Sequence, residues 1–151
     1  MKVRDFMTRD LTSVTPETSL KKAVSLLSKA NLTGIAVVNA EQKVIGFLSE
    51  KDIMEIIFPS TGGIIHDSIF VHDFSRILNQ LTEVGERKVE DAMNADPFVV
   101  EEEQTTEEVA EMMLAEGLKI IPVVRPKTQI LIGFVSRADL LKALFEEEKD
   151  E

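Results

Sequence analysis

A seven-residue pattern occurs twice in the chain and limits the possible folds more than any other sequence feature. Its copies run from Gly46 to Asp52 and from Gly133 to Asp139, both in the order Gly-Phe-x-Ser-x-x-Asp. Apolar residues on either side predict a strand that ends where a helix begins. A helix N-terminus presents unpaired N–H groups and a positive dipole end, so a hydroxyl and a carboxylate there can hold a polar, even anionic, small molecule.

The same residues also fit a purely structural interpretation. Ser-x-x-Asp resembles a capping box, in which the serine caps the helix and the acid reaches back to the backbone N–H of the serine. A single copy favours the cap, because caps are far commoner than ligand sites. Two copies inside a longer repeat give the binding interpretation more weight, and both interpretations stay open at this point.

The pattern belongs to an internal duplication. Val3 recurs 86 residues later as Val89, and after one inserted residue the offset becomes 87 and joins Gly46 to Gly133. Further pairs that keep this register are Val14 and Val100, Leu32 and Leu118, Ser49 and Ser136, and Phe58 and Phe145. A match of this length indicates two copies of one unit rather than a solenoid of short repeats.

Each copy predicts the same elements. In the first, a short strand at 13–15 precedes an amphipathic helix at 19–30 with Ser19 as its N-cap, then a hairpin at 35–48 and a second helix that ends near Phe58. The predicted fold class is therefore α/β (α+β), with duplicated β-α-β-β-α repeats packed with pseudo-twofold symmetry. A three-stranded sheet cannot bury both faces alone, so the copies should pack together and place each Ser-x-x-Asp corner in a cleft.

The expected domain organisation has four parts: repeat 1 at 1–58, an inserted linker with a helix at 59–88, repeat 2 at 89–146 and an acidic tail at 147–151. The insert helix is predicted from its apolar spacing, with Asp73 as the cap and a stop near Gly85. Its apolar stripe is Phe74, Ile77, Leu78 and Leu81. His66 and His72 also lie in the insert, and we interpret them as polar loop residues rather than metal ligands.

Composition excludes several classes of protein. The formal net charge is −10, and most of it lies in the second half, so a nucleic-acid partner is disfavoured. The chain lacks cysteine, a secretory signal and an apolar run long enough for a membrane span, so we expect a cytoplasmic protein without a membrane partner. With two histidines and no nucleophile elbow, it has no identifiable catalytic residues and is not expected to be an enzyme.

The two repeats resemble a tandem pair of CBS domains, the regulatory modules named after cystathionine beta-synthase. The resemblance rests on the methionine-containing lead-ins at Met7 and Met93, the strand Ile121 to Val124, and the Gly-Phe-x-Ser-x-x-Asp corners. It covers Val3 to Phe58 and Val89 to Phe145.

The resemblance implies a regulatory ligand that contains adenosine (AMP, ADP, ATP or S-adenosylmethionine), with no required cofactor. The residues implied for the ribose are Asp52 and Asp139 with Ser49 and Ser136. Those implied for the base and for backbone contacts are Phe47 and Phe134, and Val14 and Val100. Those implied for a phosphate are Lys51 in the Asp139 cleft, Lys119 in the Asp52 cleft, and Arg137. As an alternative, the three cations are simply exposed side chains.

The two clefts are not expected to be equivalent. Ala138 stands where the first copy has Lys51, and Ala36 stands where the second has Pro122. The Asp139 cleft should accept a phosphate better than the Asp52 cleft.

The leading hypothesis is a ligand sensor that acts on an unknown protein partner. The alternative is a structural or oligomerisation module whose corners are only helix caps. A homodimer is expected in either case, because helices 50–58 and 137–146 carry more apolar surface than one sheet face needs, and twofold dimers are the commonest closed assembly.

Overall fold

The computed structural model describes residues 1–58, 75, 78 and 80–149. The first half contains α1 (Val3–Phe6), β1 (Ser13–Val14), α2 (Leu20–Ala30), β2 (Gly34–Val38), β3 (Val44–Ser49) and α3 (Glu50–Ile57). The second contains a 3-10 turn (Val89–Asp91), β4 (Val100–Glu101), α4 (Thr106–Glu116), β5 (Ile120–Val124), β6 (Leu131–Ser136) and α5 (Arg137–Lys149). Both repeats thus have the predicted β-α-β-β-α order.

Each repeat forms one three-stranded sheet, in the order β1-β2-β3 or β4-β5-β6. The first strand runs parallel to the second, and the second and third form an antiparallel hairpin, as predicted. Gly34 pairs with Ser49 and Ile120 pairs with Ser136, so the start of each middle strand lies beside the corner of its own repeat. A small cluster that includes Ala36 and Val124 joins the two sheets.

Helices α2 and α4 begin and end where the sequence predicts, whereas α5 extends to Lys149, beyond the predicted end at residue 146. Ser19 caps α2 by accepting from the Lys22 amide at 3.1 Å, and Thr105 and Glu108 form the capping box of α4. α2 ends at Asn31 and α4 at Gly117, which hold equivalent left-handed positions with φ of 55° and 66°. Left-handed C-caps favour glycine or asparagine, which explains both residues.

The two lead-ins are exchanged between the repeats. Val3 is buried in the core of repeat 2, and Val89 is buried in the core of repeat 1. Thr8 exchanges two backbone hydrogen bonds of 2.9 Å with Phe134 of β6. Asn94 pairs in the same way with Phe47 of β3, at 3.0 and 2.8 Å. Each core is therefore completed by the segment that precedes the other repeat.

The exchange of the lead-ins predicts which repeat a cavity in the core will destabilise. Val3→Ala should lower the free energy of unfolding by about 2 kcal/mol, because it leaves a cavity at a fully buried site. Hydrogen exchange should then accelerate in β4 and α4 rather than in β1 and α2. Val89→Ala is the matched control and should produce the opposite pattern. Faster exchange in β1 and α2 on Val3→Ala would contradict the exchanged arrangement.

Part of the predicted insert helix can be compared with the structure. Residues 80–86 are helical, and Val84 packs against the core of repeat 1. Asp73, Phe74, Ile77, His66 and His72 lie outside the described residues. Over the ranges that the structure covers, no helix combines the length and apolar character needed to cross a bilayer.

Candidate functional site

Both Ser-x-x-Asp corners form capping boxes. Asp52 Oδ2 accepts from the Ser49 amide at 2.9 Å, and Ser49 Oγ accepts from the Asp52 amide at 3.1 Å. Asp139 and Ser136 make the same two bonds at 3.0 and 3.1 Å. The capping interpretation is therefore correct for the local structure, and binding must be judged from what else surrounds each aspartate.

Asp139 has a further partner from the exchanged lead-in. The Thr8 hydroxyl donates to Asp139 Oδ2 at 3.1 Å. Within the described chain, all protein donors to this carboxylate go to Oδ2, and Oδ1 accepts no hydrogen bond. The cap fixes the orientation of the carboxylate while one oxygen remains available, so capping and ligand binding are compatible at this corner.

Asp139 lines a cleft of about 480 Å³ that both repeats build. Its walls come from the first lead-in, the end of α2, the start of β5 and the β6–α5 corner. The lining residues are Thr8, Ala30, Asn31, Leu32, Thr33, Lys119, Ile120, Phe134, Ser136, Arg137, Ala138 and Asp139. This volume is in the range of small-molecule sites in proteins.

The rim of this cleft is cationic. Lys119 and Arg137 both line it, and neither forms an ion pair with any residue that the structure describes. Arg137 is oriented by its Nε, which donates to the Leu118 carbonyl at 2.8 Å. The N-terminus of α5 adds a positive dipole end at the same place. The cleft therefore combines one carboxylate acceptor with a surface that favours an anion.

The two lysines predicted to hold a phosphate lie in different surroundings. Lys119 was paired with the Asp52 cleft, but it lines the Asp139 cleft, because its carbonyl accepts from the Arg137 amide at 3.1 Å and fixes it beside that corner. Lys51 was paired with the Asp139 cleft, yet it is not among the residues that line it. Lys51 instead lies on α3, with its side chain 84% exposed and its Nζ 4.0 Å from Glu55.

The two phenylalanines lie in different surroundings. Phe134 lines the open cleft and also a small cavity between the sheets, whereas Phe47 lines the small cavity. That cavity holds only about 10 Å³ and also contains Gly34 and Pro122. A base entering from the cleft would therefore meet Phe134 first. Val14 and Val100 are buried in the two cores and line neither the Asp139 cleft nor the small cavity.

Asp10 provides a fixed negative charge at the small cavity, which it helps to line. The Thr12 hydroxyl donates to Asp10 Oδ1 at 2.5 Å, and the Thr12 amide donates to it at 2.8 Å. These hydrogen bonds hold the pKa of Asp10 below its usual value. Asp10 therefore stays an acceptor at neutral pH.

The Asp52 corner lacks the threonine contact. Asn94 occupies the position that corresponds to Thr8, and its side chain accepts from the Asp96 amide at 3.0 Å. Among the described residues, the donor to the Asp52 carboxylate is the Ser49 amide. The two corners are therefore chemically different, as the sequence predicted.

Sequence reasoning missed two polar residues of the cleft, namely Thr8 and Asn31. Thr8 follows Met7, a residue that the duplication did mark, but the exchange that brings it to Asp139 leaves no signal in the sequence. Asn31 belongs to the other repeat, and only the packing of the repeats brings it to this cleft.

The fold and the paired corners define a class of protein, and a family model confirms it. The model, described as CBS domain, matches residues 3–59 and 89–146. The chain therefore belongs to the CBS domain family.

Several known proteins are similar to it. The chloroplastic CBS domain-containing protein CBSX1 of Arabidopsis thaliana is 29% identical over 149 residues, which cover 93% of this chain and 63% of that protein. The chain thus spans less than two thirds of that relative. An uncharacterized protein of Methanocaldococcus jannaschii is 27% identical over 158 residues, covering 95% and 91%.

Solved structures of CBS-domain proteins are also similar to this chain. The crystal structure of CBSX2 in complex with AMP is 28% identical, with a TM-score of 0.72 over 96% of this chain and 97% of that chain. A second CBSX2 structure, from Arabidopsis thaliana, is 25% identical, with a TM-score of 0.77 over 98% and 96%. These neighbours confirm the predicted fold.

Proposed function

We propose that this chain is a regulatory module that binds an adenosine-containing ligand in the Asp139 cleft and passes the binding event to a partner chain. The observation that carries the proposal is the Oδ1 of Asp139 in one cleft with Lys119 and Arg137, none of which is engaged by a hydrogen bond to Oδ1 or an ion pair from the residues that the structure describes. A carboxylate can accept from both ribose hydroxyls, and the two cations can hold a phosphate. The module acts by binding, and no catalytic step is assigned to it.

AMP is the first ligand to test. CBSX2, at 28% identity, has been crystallised with AMP. Lys119 and Arg137 would attract the phosphate of AMP, ADP or ATP and repel the sulfonium of S-adenosylmethionine. S-adenosylmethionine therefore ranks behind the nucleotides as a ligand of this cleft.

The cleft also offers a way to transmit binding. Its walls come from both repeats, so a ligand that fits one arrangement better will favour that arrangement. Thr8 connects Asp139 to the lead-in, and α1 of that lead-in is held by ion pairs of Lys2 and Arg4 with Glu103, at 2.8 and 2.6 Å. A ligand that competes for Asp139 would act on this segment.

The working form is proposed to be a cytoplasmic homodimer. Large apolar side chains on α3 and α5 remain exposed in the single chain. They are Met54 at 59%, Leu141 at 55%, Leu144 at 40% and Phe145 at 66%. A second copy would cover them.

A thermal-shift series tests the binding proposal. AMP, ADP, ATP and S-adenosylmethionine are each titrated to millimolar concentration, with GMP as the control for the base. A ligand that binds only the folded state raises the Tm as its concentration rises, by an amount set by its Kd. We expect AMP to raise the Tm and GMP to have a much smaller effect.

If no adenosine compound shifts the Tm of folded protein that is free of carried-over ligand, the sensor proposal fails. The structural module would then be the better account, since its capping boxes are already formed.

A further inference from the structure

Asp10 and Thr12 bring polar side chains to the small cavity between the two sheets. The other residues that line it are glycine, alanine, proline, phenylalanine or branched aliphatic residues. At about 10 Å³ the cavity is far too small for a purine, so a base in the Asp139 cleft could lie only at its opening. The cavity and the cleft adjoin, because three residues line both: Leu32, Ile120 and Phe134.

One carboxylate oxygen of Asp10 is available to a ligand. The amide and the hydroxyl of Thr12 both donate to Oδ1, at 2.8 and 2.5 Å. Oδ2 accepts no hydrogen bond from the residues that the structure describes, and the side chain is partly exposed. A ligand can therefore donate to Oδ2 while the turn at Thr12 stays intact.

Asp10 also lies close to the corner proposed for the ribose. The Thr8 hydroxyl donates to Asp139, and Asp10 follows Thr8 by two residues. Two residues of extended chain span at most about 7 Å. One short segment therefore contacts the Asp139 corner at one end and lines the small cavity at the other. A nucleoside carries its ribose hydroxyls and its base at opposite ends, so it can face both positions at once.

The second copy of the repeat lacks this arrangement. At the offset of 86 residues, Asp96 corresponds to Asp10 and Phe98 corresponds to Thr12. Phe98 has no hydroxyl to donate, and neither Asp96 nor Phe98 lines the small cavity. The carboxylate at the cavity therefore comes from the first copy, and Asp96 offers a matched control.

We infer that Asp10 selects the base of the ligand by accepting a hydrogen bond from the exocyclic amine of adenine. This inference rests on the proposed binding of an adenosine ligand in the Asp139 cleft and adds the group that reads the base. A carboxylate can only accept, and the amine of adenine donates. Guanine and hypoxanthine carry a carbonyl oxygen at that position, so two acceptors would face each other. A site built around one hydrogen bond discriminates strongly against such a mismatch.

Asp10→Asn tests this role with AMP and IMP, since IMP has a carbonyl oxygen where AMP has the amine. The asparagine side chain keeps an oxygen for the Thr12 amide and replaces Oδ2 by an NH₂ donor, which suits a carbonyl. Asp96→Asn makes the same chemical change at an exposed position that lines neither the cleft nor the small cavity. Asp10→Ala removes the acceptor without adding a donor.

The Kd of each nucleotide is measured by isothermal titration calorimetry. We expect the wild-type chain to bind AMP about tenfold more tightly than IMP, the effect of one hydrogen bond to a charged group. Asp10→Asn should abolish or reverse this preference by weakening AMP and strengthening IMP. Asp10→Ala should weaken AMP without strengthening IMP, and Asp96→Asn should keep the wild-type preference.

A preference for AMP that persists in Asp10→Asn would overturn the inference. Equal binding of AMP and IMP by the wild-type chain would do the same. In both cases AMP still binds, so the proposed function stands. A wild-type chain that binds neither nucleotide would instead contradict the proposed function, and the role of Asp10 would fall with it.

Discussion

Asp139→Ala is expected to weaken AMP binding about a hundredfold, because it removes a charged acceptor of two ribose hydrogen bonds. The Tm shift produced by AMP should then nearly disappear at concentrations that saturate the wild-type protein. The protein should stay folded, since the loss of one helix cap costs about 1 kcal/mol.

Asp52→Ala is the matched control for this result. It removes the same capping bond from the other corner, so its cost in stability is similar. It should leave AMP affinity essentially unchanged, because Lys119 and Arg137 line the Asp139 cleft. Loss of binding on Asp52→Ala, with binding retained on Asp139→Ala, would show that the ligand occupies the other corner.

Gly133→Ala is expected to lower the free energy of unfolding by about 3 kcal/mol, through overpacking and backbone strain. Gly133 has φ of 157°, and a Cβ built there would clash with the carbonyl oxygen of Thr8. The lead-in would have to move away, and Thr8 would lose its backbone pairing with Phe134. Urea unfolding measures the loss of stability.

Gly46→Ala provides the comparison for this prediction. Its added Cβ would lie 2.7 Å from the Met93 sulfur, which is part of a flexible side chain, and 3.2 Å from the Asn94 carbonyl oxygen. It should therefore cost clearly less than Gly133→Ala. An equal or larger loss at Gly46 would show that the close approach of the lead-in at Gly133 does not determine stability.

The glycines of the repeated pattern show what the sequence could and could not reveal. Their recurrence identified the corner, and the periodic spacing around them predicted the β-α-β-β-α elements of both repeats, but not the helix α1 or the 3-10 turn of the lead-ins. Their physical reason became visible only in the fold, where a lead-in from the other repeat passes over each glycine. A valine such as Val3 fits either core equally well, so composition and spacing cannot show which repeat it completes.

The candidate site, too, could be predicted only in part from the sequence. Asp139, Ser136, Arg137 and Phe134 were predicted and lie together in the cleft. The prediction paired Lys119 with the other cleft, and the packing of the two sheets, which brings Lys119 to the Asp139 cleft, leaves no local pattern in the sequence. Thr8 was missed because it reaches Asp139 from a position 131 residues away in the chain.

The central claim is that an adenosine ligand binds in the cleft of Asp139, and isothermal titration calorimetry of the wild-type chain with AMP tests it most directly. The account predicts saturable heat from a site that requires Asp139, and much weaker binding of GMP. Absence of binding at millimolar AMP, with the protein folded and free of carried-over ligand, would contradict it.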